Sequence, residues 1–335
     1  MKNLVDNFPN QLKEALQIAQ SAKIAAGKNI QNVLITGLGG SGIGGTIASE
    51  LASKQSKVPV NVSKDYSIPA YVNENTLVIV SSYSGNTEET ISAMEQAMEK
   101  KAQIACVTSG GKIKEIAEKN HFDLIVIPGG NPPRSCLGYS LVQLLHILEA
   151  KQILVFDYRK QIEEAIQLLT SKKAEIQQEA QQIAQKLHKK IPVIYCLGAT
   201  EGIAVRFRQQ INENSKMLGW HHVIPEMNHN ELVGWAQNET NDKLAVCVLR
   251  TSFDYDRNIK RLGINKTVIT KFTSTFFEIM GQGSTPLVQA LYLIHLTDWV
   301  SCYIADLKGI DPVEVKIIDF LKSELVRPSG TVSGS

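Results

Sequence analysis

The chain has 335 residues, enough for two domains of ordinary size, and its 43% hydrophobic content and mean hydropathy of -0.08 are typical of a globular protein with buried cores. Its net charge of +2 is nearly neutral, so we expect no nucleic-acid partner and no membrane surface. Five scattered cysteines without a C-x-x-C pair favour buried thiols in a reducing cytoplasm. We expect no signal peptide and no segment of transmembrane length.

The first half of the chain alternates between strand and helix patterns, after an amphipathic helix over about residues 8–27. Apolar runs predict strands at Val33–Thr36, Val58–Val62, Leu77–Ser81, Ile104–Thr108 and Leu124–Ile127. Helical patterns lie at about 43–54, 87–101, 112–120 and Leu137–Lys151. This alternation predicts a parallel sheet with helices on both faces.

The second half begins with Asp157–Lys190, a polar segment free of Gly and Pro that predicts a connecting helix or helix pair. The alternation then resumes. Strands are predicted at Pro192–Gly198, Leu244–Leu249 and Thr267–Thr270, and helices at Val205–Leu218, Leu287–Ile304 and Val313–Leu325. We therefore expect an α/β fold with two doubly wound parallel sheets. The predicted units are a first subdomain at 1–152, a helical connector at 153–190, a second subdomain at 191–326 and a disordered tail at 327–335.

A glycine-rich loop, GLGGSGIGG at 37–45, follows the first strand and opens a helix. Its Gly37-x-Gly39-x-x-Gly42 spacing is that of a dinucleotide fingerprint, and Asp65 lies about where a ribose-binding carboxylate belongs. Taken alone, the loop fits a Rossmann oxidoreductase, a phosphate site or a tight strand–helix turn without a ligand.

A second motif, SSYSGNTEET at 81–90, favours the phosphate site. It gathers the hydroxyls of Ser82, Ser84 and Thr87 at a predicted helix N-terminus, where free N–H groups and the helix dipole attract anions. Asn86 and Glu89 also fit a capping box, which explains only part of the motif. We therefore predict a phosphorylated small-molecule substrate.

At this point the chain resembles a known family. The Ser-x-Ser-Gly-x-Thr motif at 82–87 is similar to the phosphate-binding motif of the sugar isomerase (SIS) domain, and over about residues 5–325 the chain resembles the double-SIS bifunctional phosphoglucose/phosphomannose isomerases. The motifs that carry the resemblance are Gly39-Gly40-Ser41-Gly42, the motif at 82–87, Pro133-Arg134-Ser135, Asn212-Glu213-Asn214 and Asn228-His229-Asn230-Glu231. The resemblance implies two flavodoxin-like SIS subdomains and a phosphorylated hexose as substrate. It places the phosphate on Gly39, Gly40, Ser41, Ser82, Ser84 and Thr87.

The resemblance also implies roles in an aldose–ketose isomerisation through a cis-enediol, a reaction that needs a base and an enediolate stabiliser. Glu213 would be the base, although its pattern alone also fits a solvated helical glutamate. Arg134 would stabilise the enediolate, and Lys322 would be an active-site lysine, each against the alternative of a surface side chain. His229 would open the sugar ring from the partner subunit of a homodimer.

No cofactor and no metal is expected for this chemistry. A zinc site is the alternative, because His and Glu side chains cluster at His221, His222, Glu226, His229 and Glu231. However, no H-x-x-H or H-E-x-x-H spacing puts ligands on one helix face. Two alternatives stay open: an isomerase of another phosphosugar, such as a heptose or amino sugar phosphate, and a non-catalytic phosphosugar-binding protein.

Overall fold

The computed structural model describes residues 1–237 and 241–325, so the predicted tail at 327–335 lies outside the described residues. A first parallel sheet comprises β1 (Asn32–Thr36), β2 (Val60–Ser63), β3 (Thr76–Ser81), β4 (Gln103–Thr108) and β5 (Asp123–Val126). All five strands were predicted from the sequence. Their spatial order is β2-β1-β3-β4-β5, so the strand order reverses direction between β1 and β3. Ligands of open parallel sheets bind at such a switch point, beyond the carboxyl ends of the strands.

A second parallel sheet comprises β6 (Ile191–Leu197), β7 (Trp220–Ile224), β8 (Leu244–Arg250) and β9 (Phe276–Met280), in the order β7-β6-β8-β9. The predictions for β6 and β8 are confirmed, because these central strands are continuous apolar runs. The edge strands β7 and β9 were missed. Each of them buries only one residue fully, so neither has a strong apolar pattern.

The strand predicted at Thr267–Thr270 is wrong. These residues form the end of a helix, Asp256–Ile269, and its C-cap. Leu262, Asn265 and Ile269 are its buried positions, and their spacing of three and four residues is helical rather than alternating. The β-branched Val268 and Ile269 suggested a strand locally, but this helical stripe packs against the second sheet instead.

The first half of the chain contributes helices to both faces of its sheet. They are α1 (Lys2–Asp6), α2 (Phe8–Ser21), α3 (Gly39–Ser53), α4 (Glu88–Glu99), α5 (Gly111–Lys119) and α6 (Leu137–Ala150). The N-terminal helix ends at Ser21, before the predicted residue 27, because the backbone becomes extended at Ala22. By contrast, α3 begins before the predicted residue 43, so the glycine-rich loop itself forms its first turn.

The predicted connector is a helix pair. It consists of α7 (Tyr158–Ser171) and α8 (Lys173–Leu187), and the later helices are α9 (Glu201–Ser215), α10 (Glu231–Gly234), α11 (Asp256–Ile269), α12 (Pro286–Lys308) and α13 (Lys316–Leu325). Both connector helices pack on α12. One hydrophobic core includes Ile35 of β1, Ile194 of β6 and Leu291 of α12, so the two sheets share it. The division at 1–152, 153–190 and 191–326 stays a prediction.

The expectation that no segment has transmembrane length is wrong for α12. Among the described residues it is the one helix long and apolar enough to cross a membrane. However, 94% of its most apolar window is buried inside the protein, as in the core helix of a globular fold.

Candidate active site

Two loops meet at the carboxyl ends of β1 and β3, and a close backbone approach requires the first glycine there. A Cβ atom on Gly37 would lie 2.4 Å from the backbone oxygen of Ser81, so only glycine fits. The Ser41 hydroxyl, in the first turn of α3, accepts a hydrogen bond of 3.0 Å from the backbone N–H of Tyr83. The glycine loop and the serine-rich loop, both predicted to bind phosphate, are therefore joined directly.

The serine-rich loop arranges its hydroxyls at the N-terminus of α4. The Ser82 and Thr87 hydroxyls lie 2.9 Å apart, and the Ser84 hydroxyl accepts from Asn86 N at 3.3 Å. Thr87 is the N-cap of α4 but makes no side-chain capping bond, which leaves the N–H groups of the first turn open to an anion. Gly85 has φ of +69°, a left-handed conformation that favours glycine.

The capping box predicted at Asn86 and Glu89 is wrong. The helix begins one residue later than that motif requires, because its N-cap is Thr87. The Asn86 side-chain oxygen instead accepts a hydrogen bond of 3.0 Å from the backbone N–H of Lys112, in the first turn of α5. Asn86 therefore caps the neighbouring helix and ties the serine-rich loop to it.

Arg134 lies beside the glycine loop, in a short 3₁₀ turn at Pro133–Ser135. A Cβ atom on Gly40 would lie 2.9 Å from the backbone oxygen of Pro133, which shows how closely the two segments approach. The Arg134 side chain is buried, and its Nη1 atom lies 3.3 Å from Oε2 of Glu213 on α9. Burial lowers the pKa of Arg134, and the Glu213 carboxylate opposes that shift.

Further hydrogen bonds fix the Arg134 guanidinium. Its Nε donates to the Asn214 side-chain oxygen at 2.8 Å, and its Nη2 donates to the backbone oxygens of Pro312 and Val313 at 2.7 and 3.0 Å. Asn214 in turn donates to the Ser301 hydroxyl at 2.9 Å. Helix α9, helix α12 and the link before α13 thus all contribute to the position of one cation.

A buried ion pair between Arg206 and Asp298 contacts the backbone of Arg134, and the sequence reasoning missed it. Arg206 donates to the backbone oxygen of Arg134 at 3.0 Å and pairs with Asp298 through Nη2 and Oδ2 at 2.6 Å. Gln210 donates a further hydrogen bond to Asp298 at 2.8 Å. Burial raises the pKa of Asp298, while Arg206 lowers it. The sequence signal for this ion pair was Asp298, a carboxylate within the largely apolar helix α12, since a buried carboxylate requires a partner.

Lys216 is a second residue beside the Glu213–Arg134 pair that sequence reasoning missed. It follows α9 in a left-handed conformation with φ of +49°. Its ammonium donates to the backbone oxygens of Glu213 and Asp311 at 2.7 and 3.0 Å. Burial and the nearby Arg134 charge lower the pKa of Lys216. It therefore links the end of α9 to the segment that leads into α13, beside the predicted base.

The structure does not bring His229 or Lys322 into this cluster. His229 ends a 3₁₀ turn at Glu226–His229, is exposed and makes no side-chain hydrogen bond within the described residues. The loop that carries His229 is anchored to the second sheet by Glu231. The Glu231 carboxylate accepts hydrogen bonds from the side chains of Tyr195, Trp220 and His222. Lys322 lies on α13, which buries no residue.

Comparisons with known proteins match both halves of the chain to SIS domains. The SIS domain family model matches residues 28–132, and the model of the bacterial phospho-glucose isomerase C-terminal SIS domain matches residues 176–325. A bifunctional phosphoglucose/phosphomannose isomerase of Caldicellulosiruptor bescii is 42% identical over 96% of this chain and 97% of its own length. A D-glucosamine-6-phosphate 4-epimerase of Sulfolobus acidocaldarius is 30% identical over 75% of this chain and 79% of its own.

A solved structure of similar fold is tagatose-6-phosphate ketose/aldose isomerase from Escherichia coli. It aligns with a TM-score of 0.68 at 14% identity and covers 92% of this chain and 93% of its own. At that identity the likeness concerns the fold alone. The Rossmann oxidoreductase alternative is set aside, because both family models and the full-length relatives point to SIS domains. The chain belongs to the family of bifunctional phosphoglucose/phosphomannose isomerases built from two SIS domains.

Proposed function

We propose that this protein is an aldose–ketose isomerase that interconverts glucose 6-phosphate or mannose 6-phosphate with fructose 6-phosphate. The observation that carries the proposal is the pairing of Glu213 and Arg134 at 3.3 Å beside the hydroxyl-rich loops. A base and a cation next to a phosphate site are the groups that an enediol mechanism needs. Relatives named bifunctional phosphoglucose/phosphomannose isomerase, which share up to 42% identity with the chain, support the same substrate pair.

In this mechanism the sugar phosphate is held by the backbone of Gly39 and Gly40 and by the hydroxyls of Ser41, Ser82, Ser84 and Thr87. The Glu213 carboxylate removes the proton from C2 of the open-chain aldose, and the C2 electron pair forms the cis-enediolate. The same carboxyl group returns its proton to C1, while a hydroxyl proton passes from O2 to O1. The Arg134 guanidinium stabilises the negative charge on the enediolate oxygens.

Ring opening is assigned to His229, contributed by the second subunit of a homodimer, with Lys322 assisting. Two observations support the contribution of His229 to a second subunit's site. His229 is exposed on a loop anchored by the Glu231 carboxylate, and it does not contact the Glu213–Arg134 pair within the described part of the chain. The role of Lys322 rests on the sequence resemblance, since the structure places it on the exposed helix α13. The reaction requires neither a cofactor nor a metal, and we expect it to take place in the cytoplasm.

The test is fructose 6-phosphate formation from glucose 6-phosphate and, separately, from mannose 6-phosphate, with EDTA present. Glu213→Gln removes the base with little change in shape, and Glu163→Gln, at an exposed position on α7, is the matched control. Turnover of both sugars by the parent and the control, together with its loss in Glu213→Gln, supports the proposal. Turnover that survives Glu213→Gln refutes the base.

Glucosamine 6-phosphate belongs in the same assay. The Sulfolobus relative is named as an epimerase of that sugar, and an amino sugar phosphate is one of the alternatives that the sequence leaves open. Product formed from glucosamine 6-phosphate alone, with both hexose phosphates inert, would overturn the hexose assignment while leaving the phosphate site intact.

A further inference from the structure

The side chain of Tyr83 connects the serine-rich loop to the segment that carries Arg134. Its hydroxyl accepts a hydrogen bond of 3.1 Å from the backbone N–H of Asn131, which lies just before Arg134 in the chain. The same hydroxyl hydrogen-bonds the thiol of Cys136, just after Arg134. One phenol therefore contacts the chain on both sides of the turn that holds the proposed enediolate stabiliser.

The sequence of this segment makes Asn131 an effective anchor for the turn. Pro132 and Pro133 follow it, and proline has no backbone N–H, so Asn131 carries the last backbone donor before Arg134. The proline rings also fix φ, with Pro132 at -55°, which limits how far Arg134 can move relative to Asn131. The Ser135 hydroxyl closes the turn by donating to the backbone oxygen of Pro132 at 2.7 Å. A hydrogen bond made to Asn131 therefore constrains the position of Arg134 as well.

The backbone of Tyr83 is fixed on the side of the loops proposed to bind phosphate. Its N–H donates to the Ser41 hydroxyl at 3.0 Å, and its carbonyl oxygen accepts from the N–H and the hydroxyl of Ser109 at 2.9 and 2.7 Å. The side chain is only 8% exposed and has two χ angles, so it forms a stiff link. Burial raises the pKa of Tyr83 to about 12, so the phenol keeps its proton near neutrality and does not serve as a base.

The proposed mechanism holds the sugar phosphate at two places, with its phosphate on the serine-rich loop and its enediolate oxygens beside Arg134. Because the substrate has a limited length, these two places must be kept at a matching separation for the reaction to be fast. We propose that the Tyr83 hydroxyl sets this separation, which makes Tyr83 a positioning residue of the isomerase. This inference rests on the isomerase activity proposed above, and it gives Tyr83 a role separate from phosphate binding and from proton transfer.

The test is Tyr83→Phe in the full-length protein, which removes the hydroxyl and keeps the ring. We expect kcat for the sugar phosphate to fall about tenfold, because a small displacement of a catalytic group is costly. The Kd of glucitol 6-phosphate, an open-chain analogue that cannot form an enediolate, should stay within about twofold of the parent value. The matched control is Tyr158→Phe, which removes a buried hydroxyl that lies 3.1 Å from His146 Nδ1, between α6 and α7. Its kcat per folded protein should equal that of the parent.

A second variant covers the case in which Tyr83→Phe fails to fold. Asn131→Pro removes the same hydrogen bond from the donor side and should also lower kcat while the Kd of glucitol 6-phosphate is retained. The inference alone is overturned if the parent is active and Tyr83→Phe has the same kcat, or if the Kd rises in step with the fall in kcat. The second result would assign Tyr83 to phosphate binding. A parent that turns over neither hexose phosphate would refute the proposed function and this inference with it.

Discussion

Glu50 makes the free energy of unfolding of this protein fall as the pH rises, and one substitution should remove this dependence. Its side chain lies between α3 and α9, where Oε1 accepts from Gly202 N at 2.7 Å. Burial raises its pKa from the ordinary value of 4.5 to about 7, the Gly202 N–H and Lys64 oppose the rise, and Glu201 adds to it. The folded protein therefore holds a proton on Glu50 at pH values where the unfolded chain has released it.

The direction in which the free energy of unfolding changes with pH follows from the number of protons that each state binds. Where the folded state binds more protons than the unfolded state, the free energy of unfolding falls as pH rises. For Glu50 the loss begins near pH 4.5 and is complete above about pH 7. At about 1.4 kcal/mol for each pH unit, the total loss is about 3 kcal/mol. Glu50→Gln keeps an oxygen acceptor for Gly202 N and has no charge to bury. We therefore expect it to exceed the parent in stability by about 1 kcal/mol at pH 5 and about 3 kcal/mol at pH 8.5.

The assay is urea unfolding of parent and variant at pH 5, 7 and 8.5, followed by tryptophan fluorescence. Both proteins share every other titratable group, so the difference between them isolates Glu50. Glu163→Gln replaces an exposed carboxylate and should show no such trend. A stability difference that does not change with pH, or a Glu50→Gln protein less stable than the parent at pH 8.5, would show that the folded protein does not hold Glu50 in a protonated state near neutrality.

Three further substitutions test the framework of the proposed active site. Asp298→Asn leaves the buried Arg206 without its ion pair and should lower the free energy of unfolding by about 3–5 kcal/mol, measured in urea. Gly85→Ala puts a Cβ atom 1.8 Å from a backbone oxygen of the next loop, so the serine-rich loop must shift and KM for the sugar phosphate should rise. Glu231→Gln removes the carboxylate that anchors the His229 loop, so kcat should fall while phosphate binding is retained.

Each of these three predictions would be contradicted by a specific result. An Asp298→Asn protein within about 1 kcal/mol of the parent would mean that the ion pair is readily replaced, as some buried pairs are. An unchanged KM in Gly85→Ala would show that the serine-rich loop does not contribute to phosphate binding. Equal kcat values for parent and Glu231→Gln would remove the reason for assigning His229 to ring opening. A kcat that falls only in proportion to lost folded protein would do the same.

The central strands and the positions of the glycine loop and the serine-rich loop could be predicted because their signals are local. β3 and β6 are continuous apolar runs, and the hydroxyl cluster at 82–87 sits at a helix N-terminus within one short segment. Edge strands lack such signals. β7 contains His221 and His222, which interrupt its apolar pattern, so its pairing with β6 is decided by the sheet rather than by its own residues.

The arrangement around Arg134 could not be predicted, because its partners are distant along the chain. The carbonyl groups of Pro312 and Val313 carry no side-chain signal at all, and Arg206 and Asp298 are brought together only by the packing of α9 on α12. The motifs named Arg134 and Glu213 separately. That they form a pair at 3.3 Å is a property of the tertiary structure.

The partners of Arg134 also explain how its charge can be available to a substrate. A guanidinium has five N–H donors. Among the described residues, Asn214, Glu213 and the carbonyl groups of Pro312 and Val313 account for four of them. The remaining donor belongs to Nη1, on the side of Glu213. This side chain of the first half is therefore held by residues of the second half before substrate arrives, and the proposed stabilisation of an enediolate there would require little reorganisation. Neither half alone contains both the cation and the base, so the proposed chemistry requires the two SIS units to remain packed together.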